Sequence, residues 1–155
     1  MKIEARKAAL LRVAGNAKGK RAAIVSARFY EKLADWLEDG AGRGLDVGGV
    51  APGRRTLVRV PGCFEVPLAC RRLIDSGVDL VVALGVVVRG DTPHFTYVAG
   101  ECARGIMQVQ LFSRVPIGFG ILTTQTQEQA EERADPARGD KGYQAAIAAL
   151  SLLDI

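Results

Sequence analysis

The chain is short of the residues that build metal centres and disulfides. A single histidine, His94, serves 155 residues, and the three cysteines, Cys63, Cys70 and Cys102, stand apart with no CxxC spacing. One histidine and scattered thiols make no zinc set. An odd cysteine count without paired spacing fits a reducing compartment. Long apolar runs are missing too. The longest, Leu80 to Val88, has nine residues, against the roughly twenty that a membrane helix needs. No apolar stretch followed by a small-residue cleavage site opens the chain, so no secretory leader is expected. The expectation is a cytoplasmic protein with no membrane contact. Acidic residues are scarce at the start, where Lys2, Arg6, Lys7, Arg12, Lys18, Lys20 and Arg21 face only Glu4. No aromatic side chain is interleaved there for base stacking. A solvated or subunit-contacting arm is therefore preferred over a nucleic-acid arm.

What is present describes one ordinary globular domain. Apolar residues make up 48% and charged residues 25%, with a formal charge of +4, a balance typical of soluble folds. Residues 1–20 read as an N-terminal arm, with Ala8 to Leu11 as its candidate edge strand, and residues 21–155 as a single α/β domain. Ala22–Ala27 reads as a buried strand, Thr56–Val60 as a second strand, Asp79–Val88 as a central strand apolar on both faces, and Pro116–Leu122 as a fourth. Helices follow each: one to about Asp39 with Leu33, Trp36 and Leu37 inward, then Phe64–Ser76 with Leu68, Leu73 and Ile74 inward. A third runs from His94 to about Ser113 on a stripe of Val98, Cys102, Ile106 and Val109. The segment Gly40–Gly53 holds six of the eighteen glycines and reads as loop. Two T-x-x-Q capping boxes, from Thr124 and from Thr126, start a helix that ends near Arg133. Tyr143–Leu153 reads as a final Ala-rich helix.

Strand and helix alternating four times predict a parallel sheet with helices on both faces, a three-layer αβα sandwich of flavodoxin-like type. Right-handed crossovers put every strand-to-helix loop on one edge, where open α/β sheets bind ligands. Arg28-Phe29, Cys63-Phe64-Glu65, Arg89 to His94 and Thr123 to Gln125 converge there. Thr92 is a good N-cap and Pro93 a good first helical residue. That helix start favours an anion, and His94 beside it can move protons. The site suits a small, polar, phosphorylated molecule.

The motifs VPGCFEVP (Val60–Pro67), ALGVVVRGDTPHF (Ala83–Phe95), FGILTT (Phe119–Thr124) and EQAEERADPARGDKG (Glu128–Gly142) together resemble the 6,7-dimethyl-8-ribityllumazine synthase family, in register from about residue 21 to 153. The resemblance implies condensation of 5-amino-6-ribitylaminouracil with 3,4-dihydroxy-2-butanone 4-phosphate, releasing phosphate and water, with no cofactor and no metal. It implies that Phe29 stacks on the pyrimidine, and that Cys63, Phe64 and Glu65 line the pyrimidine and ribityl pocket. The backbone of Val86, Val87 and Val88 would read the ring's polar edge. Asp91 and Thr92 would contact phosphate, Asp91 through its N–H with the carboxylate turned away, and Arg133 would bind the departing phosphate. His94 would transfer protons. Phe119 and Lys141 would come from a neighbouring subunit. Tyr30 departs from the asparagine common at that position in the family.

The same resemblance implies a homo-oligomer. Family members form pentamers, and a short connector such as Ala134–Lys141 goes with icosahedral shells of pentamers, in which riboflavin synthase is a possible guest. Two other readings stay open: an archaeal-type riboflavin synthase of related fold, and a non-catalytic flavin-binding or shell protein.

Overall fold

A computed structural model describes residues 12–155. Among the described residues four strands form one parallel sheet: β1 Ala22–Ala27, β2 Arg55–Val60, β3 Leu80–Val88 and β4 Ile117–Thr124, in the order β2-β1-β3-β4. Among the described residues from Ala22 on, five α-helices accompany the sheet: α1 Glu31–Gly48, α2 Val66–Asp75, α3 His94–Ser113, α4 Gln127–Ala134 and α5 Lys141–Ser151. Short 3-10 turns at Pro52–Arg54 and Cys63–Glu65 precede β2 and α2. Helices α1, α4 and α5 cover one face of the sheet, and α2 and α3 the other. This is the expected three-layer αβα sandwich of flavodoxin-like type.

β3 organises the core. Leu80 to Leu84 are fully buried, because its neighbours β1 and β4 pair along both sides while helices cover both faces. Alternation sends Leu80, Val82, Leu84 and Val86 into the α1–α4–α5 layer, and Val81, Ala83 and Val87 into the α2–α3 layer. A valine or leucine buried in this way contributes about 1.5–3 kcal/mol.

The start of the described chain is tied to this body. The N–H groups of Gly15 and Ala17 donate to Val47 and Gly48 carbonyls at 2.9 and 2.8 Å, and Val13 and Ala17 are buried in the core. The expected edge strand at Ala8–Leu11 lies outside the described residues.

Four expectations need correction. The first helix does not stop near Asp39 but runs to Gly48. Its glycines are a packing seam, not a loop. A Cβ at Gly40 would sit 2.6 Å from the Tyr143 nitrogen, at Gly44 2.5 Å from the Ala146 Cβ, and at Gly48 2.5 Å from Leu150 Cδ2. Spaced four apart, they let α1 press against α5, and the helix ends only at Gly49 in left-handed conformation (φ 80°), a helix stop that glycine favours. Leu68 is 57% exposed, whereas Val66 and Cys70 carry the buried face of α2. Pro93 rather than Thr92 holds the N-cap position of α3. The last helix begins at Lys141, two residues before Tyr143.

Gly42 tests the seam from the other side. Its nearest atom to a built Cβ is Arg55 Nη1 at 3.9 Å. Gly42→Ala should stabilise by about 0.5–1 kcal/mol through helix propensity. Gly44→Ala should cost about 1–3 kcal/mol of overpacking, which outweighs the same gain. Urea unfolding of the two variants reads both signs; equal shifts would show that α1 and α5 do not meet as described.

Candidate active site

All four strand ends deliver their following loops to one edge, and there a cleft of about 640 Å³ opens. Phe29 and Tyr30 come from the end of β1, Pro61 to Glu65 from the end of β2. Val86 to Val88 and Gly90 come from β3, and Thr92, His94, Phe95, Tyr97 and Val98 from the turn and α3. Phe29 is 74% exposed, so it is a ring presented to a ligand space and not a core residue. Its ring meets that of Tyr30 edge-on, centroids 5.0 Å apart at 68°.

The β3 end has a free side. Pairing with β1 stops at Leu84, while pairing with β4 continues to Val88 and Thr124. Val86 to Val88 therefore have no strand partner on their β1 side, where the cleft lies. Cys63 is buried at the cleft floor, and Gly85 makes room for it, since a Cβ there would fall 2.5 Å from the Cys63 sulfur. A hydrogen bond with the buried Cys102 thiol holds the Cys63 thiol below its ordinary pKa, against burial that pushes it up. The same pairing drives Cys102 upward. Cys70, away from the cleft, is pushed up to about 12 by burial. All three thiols are free.

The turn after β3 is anchored at both ends. The Arg89 N–H donates to the Thr124 carbonyl at 2.9 Å, and its guanidinium lies over the Phe95 ring, 5.2 Å from the centroid. Thr92 Oγ1 accepts from the His94 N–H at 3.4 Å, and His94 itself is exposed on the cleft wall. Thr124 then leads to the next helix: its hydroxyl donates to the Thr126 carbonyl at 2.8 Å. The second of the two capping boxes is the one realised, with Gln129 N–H on Thr126 Oγ1 at 3.1 Å and Gln125 N–H on Gln129 Oε1 at 2.9 Å.

Of the expected site residues, the fold brings together Phe29, Cys63, Phe64, Glu65, Val86, Val87, Val88, Thr92 and His94. Asp91 is exposed in the turn and off the lining. Phe119, Arg133 and Lys141 do not line this chain's own cleft. Phe119 is half-exposed on edge strand β4. Arg133 ends α4 exposed, with Nη1 on the Gln129 carbonyl at 3.1 Å. Lys141 starts α5 and bonds Gln144 at 3.1 Å. Sequence reading missed Phe95, Tyr97 and Val98 as lining residues. Phe95 adjoins His94, and the places of Tyr97 and Val98 three and four residues on, about one turn along α3, were the available signal. Among the described residues no cluster of three or more metal-ligating side chains occurs, and no helix is long and apolar enough to cross a membrane.

The model of the family described as 6,7-dimethyl-8-ribityllumazine synthase matches residues 19–155. The chain belongs to this family. A protein named 6,7-dimethyl-8-ribityllumazine synthase from Halorhodospira halophila is 48% identical over 136 residues, 87% of each chain. One of the same name from Desulfovibrio desulfuricans is 45% identical over 141 residues, 90% of each chain. Lumazine synthases are transferases of riboflavin biosynthesis, and this chain is an enzyme of that class.

Behind Phe29, a charge cluster fixes the end of β1. Arg28 Nη1 bonds Asp35 at 2.8 Å and Glu38 at 3.1 Å, while Arg59 bonds both oxygens of Glu38 at 3.1 and 2.9 Å. Burial pushes the Glu38 carboxyl up, but the hydrogen bonds and charge of Arg59 and the charge of Arg28 outweigh it, leaving Glu38 below the usual carboxylate range. A lowered folded pKa contributes stability that is complete above the unfolded value, about 4.3. That contribution is lost as pH falls below it and through the folded value. Glu38→Gln should cost roughly 1–3 kcal/mol at neutral pH and flatten the acid limb of a stability-against-pH curve. An unchanged acid limb would remove Glu38 from the account.

Proposed function

We propose that the cleft binds the ring of 5-amino-6-ribitylaminouracil against Phe29, and that His94 moves protons in its condensation with 3,4-dihydroxy-2-butanone 4-phosphate to give 6,7-dimethyl-8-ribityllumazine. One observation carries this reading: an exposed aromatic face, a carboxylate and the only imidazole of the chain line one cavity. A flat heterocycle stacks well on such a ring. The free backbone side of Val86 to Val88 offers N–H and C=O groups to its polar edge, and Glu65 offers acceptors to ribityl hydroxyls. The chemistry then consists of Schiff-base formation, loss of phosphate and ring closure. Each needs a proton moved, and none needs a metal or cofactor. Asp91 and Thr92 lie in the turn just before the start of α3, a helix start suited to the phosphate. Arg133 supplies a fixed charge and a planar fork for the same group.

Arg133, Phe119 and Lys141 complete the cleft of an adjacent copy in this proposal, which is supported by their absence from their own chain's cleft. Exposed apolar side chains along α2 and α3, Leu68 at 57%, Met107 at 52%, Leu111 at 70% and Phe112 at 81%, favour a covered face of the kind that oligomers bury. The assembly is a pentamer, and the short link from Ala134 to Lys141 suits a shell of pentamers in the cytoplasm, with riboflavin synthase as possible guest. Light scattering should give a shell-sized particle; pentamers or decamers alone would exclude the shell.

Mixing the two substrates should yield lumazine absorbance and phosphate together. Riboflavin formed from lumazine alone would point to the archaeal-type riboflavin synthase instead, and no turnover at all to an idle binding or shell protein. His94→Ala should lower kcat by roughly 10²–10⁴-fold, the usual worth of general acid–base help, with assembly intact. Arg133→Ala should act mainly on the KM of the phosphorylated substrate. Co-assembling the His94→Ala and Arg133→Ala chains should restore part of the activity, since some sites then draw His94 from one chain and Arg133 from another. No restoration in mixed particles would place both residues in the same chain's site.

A further inference from the structure

Resting on the reading of the cleft as a pyrimidine site, we infer that Tyr30 is a positioning residue that fixes the plane of Phe29 and so helps select a flat heterocycle. Phe29 is exposed and stands at the end of a strand. A side chain so free must be immobilised when a ligand stacks on it, and that ordering weakens binding. Tyr30 removes much of this freedom beforehand. Its own ring is half-buried against the core beneath α1. Its backbone is held at the start of that helix, where its carbonyl accepts from the Ala34 N–H at 2.9 Å. From this fixed base its ring meets Phe29 edge-on at 5.0 Å, the favoured geometry for an aromatic pair. Both rings line the cleft. Together they form a two-walled corner with one wall anchored.

The helix start shows what this residue type displaces. Tyr30 sits at the N-cap of α1 and gives no side-chain cap hydrogen bond, a place where asparagine, aspartate or serine would supply one. The chain has an aromatic wall there in place of a cap. This separates the positioning role from a merely structural one, because an asparagine at 30 restores a capping group while deleting the wall.

Steady-state kinetics with each substrate varied in turn test the inference on the assembled protein. Tyr30→Asn should raise the KM for the pyrimidine about three- to ten-fold, the worth of an aromatic pair, and leave the KM for the four-carbon phosphate unchanged. Tyr30→Phe, which keeps the ring, should behave as the parent. Phe29→Ala serves as reference and should raise the pyrimidine KM at least as much. A Phe29 effect with no Tyr30→Asn effect overturns this inference alone. Equal losses in Tyr30→Phe and Tyr30→Asn overturn it too, since the hydroxyl and not the ring edge would be acting. A parent-like Phe29→Ala overturns the pyrimidine reading of the cleft, and the inference with it.

Discussion

The structure depends on one strand being dry on both faces. A four-stranded parallel sheet has only two inner strands, and β3 is the one whose ends define the working edge. Its run from Leu80 to Leu84 is buried without exception, which fixes its register between β1 and β4. A slip of one residue would turn every side chain to the wrong layer. The same register decides where pairing with β1 stops, and that stop frees the backbone of Val86 to Val88 beside the cleft. Packing and function therefore share a cause: the strand must outlast one neighbour to present itself to a ligand.

The helical layers answer to a different constraint, close approach. α1 and α5 meet where Gly40, Gly44 and Gly48 of α1 face Tyr143, Ala146 and Leu150 of α5, while Ala145 and Ala149 of α5 press on Gly118 and Gly120 of β4. Small residues on both sides set the thickness of that layer, and with it the position of Tyr30 at the helix start. The other layer is looser at its outer surface, where α2 and α3 leave large apolar side chains exposed.

Much of this was legible from residues alone. β1 and β3 announced themselves as apolar runs, β2 and β4 as short β-rich segments between turns, and the alternation of elements gave the layers. Phe29, Glu65 and His94 could be brought to one edge because parallel topology leaves no other place for their loops. The glycines of α1 were misread for a physical reason. Glycine lowers helix propensity by about 1 kcal/mol per residue, and only the partner helix shows what offsets it. Leu68 was misread because helical periodicity alone cannot say which apolar side faces the sheet. Phe119, Arg133 and Lys141 entered by resemblance alone, and they do not line this chain's own cleft.

Thr124 accepts from the Arg89 N–H through its carbonyl and donates from its hydroxyl to the Thr126 carbonyl, so a single residue ties the turn before α3 to the start of α4. The loops that follow β3 and β4 therefore share one anchor, and displacing either strains the other.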